Sequence, residues 1–310
     1  MKQKIIWCVQ HNPVELLLRV ARDFADILNT YTDKYEIEVL TQKEYADYYN
    51  NGVFEDTLDL VHQNKVQISQ TFTYKLAYLS SAFNALDMPY LFRDHDHAQR
   101  VLEGPIGTGL LNSLKKEGRE LKGLAFTYSG GYRIFCSDQP ISGLDDLKGR
   151  RVMISPNPLA IDTVSAMGAE AEPGDVHEVR NNWFEGRSGL ISETTWVRYQ
   201  DWLSDYAPYV LDAQHSLFLT TLIANVEFWE SLPAEDRVLF EKAAQQAASN
   251  EKKFTIAEAE RLREQAAELD NQIVVLNEQE IDQVRAMVQP VINKWQTAFI
   301  PNLIEAIRAS

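Results

Sequence analysis

The amino-acid sequence predicts an α/β fold made of two domains, and three observations support this class. The chain has 310 residues, which corresponds to two domains at about 100–200 residues each. Short apolar runs alternate with segments of helical periodicity, the order typical of parallel βαβ units. Residues 234–289 contain neither Gly nor Pro, and residues 234–269 can form one helix of about 36 residues, or about 54 Å. Because that length exceeds the diameter of a small domain, we expect the helix to run through two interwoven domains.

Strands and helices alternate through the first half of the chain. Apolar runs and period-2 alternation predict strands over residues 3–9, 34–40, 65–72 and 121–130. Helical spacing predicts helices over residues 15–31, near 52–63 and over 94–119, the last interrupted at Gly104-Pro105. Residues 84–92 are apolar but contain Pro89, so we expect an ordered loop there.

The second half continues the same alternation before the long helix. Apolar runs predict strands over residues 131–137, 150–155, 190–195 and 217–226. A short capped helix is expected over residues 142–149, and a further helix ends at Met167.

Composition excludes several classes of partner. The 45 Asp+Glu and 30 Lys+Arg residues give a net charge of −15, whereas nucleic acids and anionic membranes require a basic face. No run of 18 apolar residues is present, so we expect no membrane-spanning helix. Cys8 and Cys136 lie in separate apolar runs without metal-ligand spacing; we interpret them as buried thiols and expect no metal site.

The sequence also lacks a catalytic constellation. No nucleophile elbow, phosphate-binding loop, zinc-protease motif or dinucleotide-binding motif occurs. His215 has no nucleophile partner and is interpreted as a structural residue. We therefore expect a protein that is not an enzyme and that holds no cofactor.

Several motifs, in order along nearly the whole chain, resemble one family. They are ALDMPYLFRDHDHAQRVLEGPIGTGLL (85–111), GLAFTYSGGYRIFCSDQPISGLDDLKGRRV (123–152), MGAEAEPGDVHEVRNNWFEG (167–186) and the helix start from Trp229 to Pro233. This pattern resembles the periplasmic solute-binding proteins of TRAP transporters, of the DctP type. Residues 123–170 carry the most specific part of the resemblance.

The resemblance implies a two-lobed periplasmic-binding-protein-like fold with a ligand cleft between the lobes and a long helix spanning both. Lobe I would comprise residues 1–126 and about 213–252, and lobe II residues 127–212 and about 253–310. Such proteins close on a small organic solute and deliver it to TRAP membrane permease subunits. We expect a periplasmic monomer whose signal peptide has been removed; the alternative is a cytoplasmic sensor or an α/β enzyme derived from the same fold.

The resemblance also implies where the solute binds. Members hold a ligand carboxylate with an Arg four residues beyond the Gly of D-L-K-G, and here that position is Met153. Arg151 shares a strand face with Met153 and could substitute, while a second Arg of the family is retained as Arg133. An Asn of the family falls at or beside Glu193. On the first lobe, the corresponding positions are Gln10, Phe72 and Thr73.

These departures leave two interpretations of the solute open. Without Arg at 153 and with Glu193 present, the solute could be neutral, zwitterionic or cationic, with Glu193 as its counter-ion. Aromatic walls would then come from Phe72, Tyr128 or Trp196. Alternatively, Arg133 or Arg151 holds an organic acid in a shifted pose and Glu193 points to solvent.

Overall fold

A computed structural model of the chain describes residues 2–10, 15–115, 120–174, 176–268, 272–299 and 301–310. The strands are β1 (Gln3–Val9), β2 (Tyr35–Thr41), β3 (Ile68–Phe72), β4 (Leu121–Ser137), β5 (Arg151–Ile154), β6 (Glu170–Pro173), β7 (Ile191–Thr195), β8 (Tyr209–Asp212), β9 (Leu217–Asn225) and β10 (Gln272–Val275). The α-helices are α1 (Glu15–Tyr31), α2 (Gln42–Tyr49), α3 (Thr57–His62), α4 (His95–Glu103), α5 (Pro105–Asn112), α6 (Pro158–Ala166), α7 (Val176–Phe184), α8 (Trp196–Trp202), α9 (Val226–Ser231), α10 (Ala234–Glu268), α11 (Glu278–Gln296) and α12 (Leu303–Ala309). Short 3₁₀ helices cover Thr73–Tyr78, Ser81–Asp87 and Leu144–Leu147.

Most predicted elements are confirmed, and the long helix is among them. Helix α10 has 35 residues. Helix α2 was missed, and α3 is shorter than the predicted helix near 52–63. The predicted loop over 84–92 is wrong in its first part, because a 3₁₀ helix continues to Asp87.

The two strands predicted over 121–137 are one continuous strand, β4, and its central glycines explain the difference. Gly130 and Gly131 both have φ of +91°, a conformation that other residues rarely adopt. A Cβ on Gly130 would lie 2.1 Å from Oγ1 of Thr195 on the neighbouring strand. Glycine therefore allows the ladder to continue where a side chain would separate β4 from β7, instead of ending the strand.

The chain divides into two compact units. Unit 1 contains residues 1–83, 99–129 and 219–254, and unit 2 contains residues 84–98, 130–218 and 255–310. Both β4 and α10 contribute residues to each unit, so neither unit is a single stretch of chain. Residues 84–98 group with unit 2, although they fall within the predicted lobe I. The expected cleft between two lobes stays a prediction.

Unit 1 contains the predicted βαβ motif. Strands β1 and β2 pair in parallel from Gln3↔Tyr35 onward, β1 and β3 pair in parallel, and β9 pairs antiparallel to β3. Helix α1 buries one face of residues at helical spacing, and Phe24 from that face contacts Trp7 of β1 at a ring distance of 5.1 Å. Cys8 in the same strand is a buried free thiol, as predicted.

Unit 2 has a sheet in the order β6-β5-β7-β4-β8-β10. Strand β5 pairs in parallel with both β6 and β7, while β4 runs antiparallel to both β7 and β8. Its core includes Met153, Trp183, Trp196 and Tyr199. The antiparallel pairing of β4 with β7 fixes which polar side chains share a face, and this determines the site described next.

Candidate functional site

The register between β4 and β7 places a cation and an anion on one face of the unit 2 sheet. Phe135 pairs with Glu193, and Arg133 pairs with Thr195. Side chains two residues apart on a strand share a face, and so do directly opposite residues. Arg133 and Glu193 are therefore diagonal neighbours on the same face.

Around this pair lies a buried group of charged side chains, which we call the Arg133 cluster: Asp87, Arg133, Glu193 and His215. Nη2 of Arg133 lies 3.4 Å from Oδ1 of Asp87, and Nε lies 3.6 Å from Oε2 of Glu193. Nε2 of His215 lies 2.9 Å from Oε1 of Glu193. All four side chains are at most 4% exposed.

Neighbouring residues hold the cluster in place. The guanidinium of Arg133 lies 4.2 Å from the ring centroid of Phe218, a cation–π contact, and Nη1 donates to Oγ of Ser216 at 3.4 Å. The amide of Asn157 donates to Oδ2 of Asp87 at 2.9 Å. The His215 ring stacks on Phe135 at 4.9 Å with an interplanar angle of 5°.

The pKa values of the two carboxyl groups of the cluster are shifted in opposite directions. Burial raises the pKa of Asp87 to about 6; the charge of Glu193 adds to this effect and Arg133 opposes it. Burial also disfavours ionisation of Glu193, but the charge of Arg133 and the hydrogen bond from His215 outweigh burial and lower its pKa. Glu193 is thus the firmly ionised partner of Arg133.

Two polar atoms of the cluster retain unused hydrogen-bonding capacity. Nη2 of Arg133 and Nδ1 of His215 are buried and have no hydrogen-bond partner among the described residues. The contact of Nη2 with Asp87 is thus an ion pair without hydrogen-bond geometry. A buried donor or acceptor left unpaired costs about 1–3 kcal/mol, so native proteins rarely retain one without a reason.

The other unit 2 candidates lie apart from these contacts. Met153 and Trp196 belong to the apolar core, at 4% and 5% exposure. Arg151 is exposed and faces Glu172 at 3.4 Å, so its charge is paired at the surface. A surface cavity of about 490 Å³ is lined by Arg151, Met153 and Glu172 among others. These positions as ligand contacts stay predictions.

In unit 1, the candidates occupy the carboxyl ends of β1 and β3 and the middle of β4. Nε2 of Gln10 donates to Oδ2 of Asp56 at 2.9 Å, and Oγ1 of Thr73 lies 2.9 Å from Oγ1 of Thr221. Phe72 stacks on Tyr74 at 5.9 Å. Tyr128 is 1% exposed, and its backbone N–H donates to Oε2 of Glu251 at 2.8 Å. As ligand contacts, these candidates also stay predictions.

One expectation is wrong: Glu193 does not point to solvent, because its side chain is 3% exposed and contacts Arg133 and His215. Sequence reasoning missed two members of the cluster. Asp87 lies inside the quoted ALDMPYLF motif, which was a usable signal. No sequence pattern marked His215, because its role depends on the register of distant strands.

Comparison with known proteins identifies the class of protein to which this fold belongs. The family of bacterial extracellular solute-binding proteins, family 7 (DctP), matches residues 48–298. The C4-dicarboxylate-binding protein DctB of Bacillus subtilis (strain 168) is 27% identical over 295 residues, which cover 93% of this chain and 80% of that protein. The C4-dicarboxylate-binding periplasmic protein DctP of Rhodobacter capsulatus is 25% identical over 227 residues, which cover 72% of this chain and 65% of that protein.

Solved structures show the same fold. A TRAP periplasmic solute-binding protein from Xanthobacter autotrophicus Py2, with bound β-D-galacturonate, superimposes with a TM-score of 0.83 at 24% identity, covering 99% of each chain. The chain therefore belongs to the DctP family of bacterial extracellular solute-binding proteins. It is a solute-binding protein, and its family is one of binding proteins and not of enzymes. No helix in the described part of the chain combines the length and apolar character needed to cross a bilayer.

Proposed function

We propose that this receptor binds a small organic monocarboxylate that also carries hydroxyl or amino groups, and that Arg133 holds the carboxylate. One observation carries the proposal. Arg133 is buried, one of its terminal nitrogens has no hydrogen-bond partner among the described residues, and two carboxylates flank it.

A carboxylate suits the unused donor of Arg133. Charge-assisted hydrogen bonds between a guanidinium and a carboxylate are short, strong and directional, and burial strengthens them. Related proteins support an acidic solute, since two are named for C4-dicarboxylates and a third holds galacturonate.

The flanking carboxylates of Asp87 and Glu193 favour a solute that also donates hydrogen bonds. Hydroxyl or amino hydrogens can satisfy carboxylate oxygens, whereas a second carboxylate would meet like charge. Two like charges about 4 Å apart repel by about 4 kcal/mol near a protein surface. A monocarboxylate with hydroxyl or amino groups therefore satisfies both requirements. Its carboxylate binds Arg133, and its hydroxyl or amino hydrogens are donated to Asp87 and Glu193.

Titration calorimetry with a defined panel tests this proposal. We expect D-galacturonate or D-erythronate to bind more tightly than succinate, butyrate or glycine betaine. Arg133→Lys should lower affinity by about tenfold or more, because Lys cannot reproduce the planar fork of Arg. Arg261→Gln is the matched control, since Arg261 is exposed, pairs with Glu258 and should not change affinity. Tighter binding of succinate, or full affinity in Arg133→Lys, would overturn the proposal.

We further propose that the receptor acts outside the cytoplasm after removal of a signal peptide and delivers its solute to TRAP membrane permease subunits. Family membership supports this role. Proteoliposomes containing the cognate permease should take up labelled D-galacturonate or D-erythronate only when the receptor is added. Uptake without receptor, or recovery of the native protein in the cytoplasmic fraction of cells, would contradict the proposal.

A further inference from the structure

His215 has one nitrogen with a partner and one without, and the partner fixes what the second nitrogen can do. Nε2 lies 2.9 Å from Oε1 of Glu193. An ionised carboxylate only accepts hydrogen bonds, so Nε2 carries the proton that it donates. In the neutral imidazole, Nδ1 is then a lone-pair acceptor. This acceptor is buried and has no hydrogen-bond partner among the described residues.

The ring cannot easily turn to relieve this condition. It stacks nearly parallel on Phe135, with an interplanar angle of 5°. Its own backbone carbonyl accepts from the N–H of Tyr90 at 2.7 Å, and the carbonyl of the next residue, Ser216, accepts from the N–H of Arg133 at 2.9 Å. Backbone and ring are therefore both held, and Nδ1 keeps its direction.

Glu193 contacts both residues of the cluster that carry an unused polar atom. Its Oε1 contacts His215, while its Oε2 lies 3.6 Å from Nε of Arg133. One buried carboxylate thus has on its two sides a guanidinium with an unused donor nitrogen and an imidazole with an unused acceptor nitrogen. A molecule that presents a carboxylate and a hydroxyl group matches that pair of unused atoms.

We propose that Nδ1 of His215 accepts a hydrogen bond from a hydroxyl group of the solute, and that His215, held by Glu193, determines specificity for hydroxy acids over plain acids. This inference rests on the proposed function, because it requires an acid held by Arg133. A site built to hydrogen-bond a hydroxyl group discriminates against the analogue without it, since the buried polar atom then stays unpaired.

The test compares D-erythronate with butyrate, which share a four-carbon monocarboxylate skeleton and differ in the hydroxyl groups. In the wild type, we expect D-erythronate to bind about 10- to 100-fold more tightly. His215→Phe keeps a flat ring over Phe135 but removes the acceptor, and should reduce the erythronate-to-butyrate preference several-fold. His215→Asn, which has an amide oxygen, should retain part of the preference.

His97 offers the matched control, because it is also a fully buried histidine of unit 2 but both its nitrogens have backbone partners. Nδ1 accepts from the N–H of Arg93 at 3.0 Å, and Nε2 lies 2.8 Å from the carbonyl oxygen of Ile307. His97→Phe should lower the melting temperature and leave the erythronate-to-butyrate ratio unchanged. If His215 had a purely structural role, His215→Phe would likewise lower the melting temperature and leave the erythronate-to-butyrate ratio unchanged.

Three outcomes separate the inference from the proposed function. If both acids bind through Arg133 but His215→Phe leaves their ratio unchanged, the inference is overturned and the proposed function stands. If no acid in the panel binds, both are overturned. Independently, ¹⁵N NMR of histidine-labelled protein should show the Nε2–H tautomer at His215; a proton on Nδ1 would contradict the inference even if the variants fail to fold.

Discussion

Replacing Asp87 with Asn should change how the stability of this receptor depends on pH. Asp87 is buried beside Arg133 and Glu193, and its pKa rises from 3.8 to about 6. Between these values the folded protein holds a proton that the unfolded chain has released. The stabilisation that Asp87 contributes therefore increases as the pH falls through about 6, and it is fully present below pH 3.8. An asparagine side chain does not titrate in this range, so the Asp87→Asn variant loses this dependence.

The expected magnitude follows from the two pKa values. Their difference of about 2 pH units corresponds to about 3 kcal/mol in full. Between pH 7.5 and pH 4.5, proton linkage gives about 2 kcal/mol of that amount. Wild type should therefore gain about 2 kcal/mol relative to Asp87→Asn over this interval, whatever constant offset the lost contacts with Arg133 and Asn157 add.

Urea unfolding of both proteins across that pH interval measures the difference. Asp162→Asn is the control, because Asp162 accepts from Lys294 and from the indole N–H of Trp295. Burial opposes its ionisation, but these hydrogen bonds outweigh burial and lower its pKa below 3.8. Its stabilising contribution is present above 3.8 and lost only at lower pH, so its variant should differ from wild type by a constant amount. A pH-independent difference for Asp87→Asn would refute the reasoning.

Two further variants test packing. Met153→Ala should cost about 2–5 kcal/mol of unfolding free energy in urea denaturation, since Met153 is a core residue; unchanged stability with lost solute affinity would instead show that Met153 contacts the solute. Gly130→Ala should lower the melting temperature by more than Gly149→Ala, because both have positive φ but only a Cβ at 130 meets Thr195, at 2.1 Å; equal losses would mean that backbone strain alone decides.

The sequence predicted more of the fold than of the candidate site. Periodicity located α1, because its buried residues recur at helical spacing, and a continuous apolar run located β1. The sequence pattern predicted two strands in place of β4, because glycines such as Gly130 and Gly131 usually mark turns. Only the neighbouring strand β7 explains why they occur within a strand. The motif resemblance named Arg133 and Glu193 as separate candidate ligand contacts, and it did not indicate that the two side chains contact each other.

Local sequence determined the elements, the net charge of −15 and the family, because each is carried by neighbouring residues or by motifs in order. Only the tertiary structure determined which charged side chains come together in the candidate site. Asp87, Arg133, Glu193 and His215 come from separate segments, and the register of β4 with β7 brings two of them onto one face. The pKa of a carboxyl group and the free nitrogen of an imidazole depend on burial and on partners distant in sequence, and for that reason no local pattern encodes them.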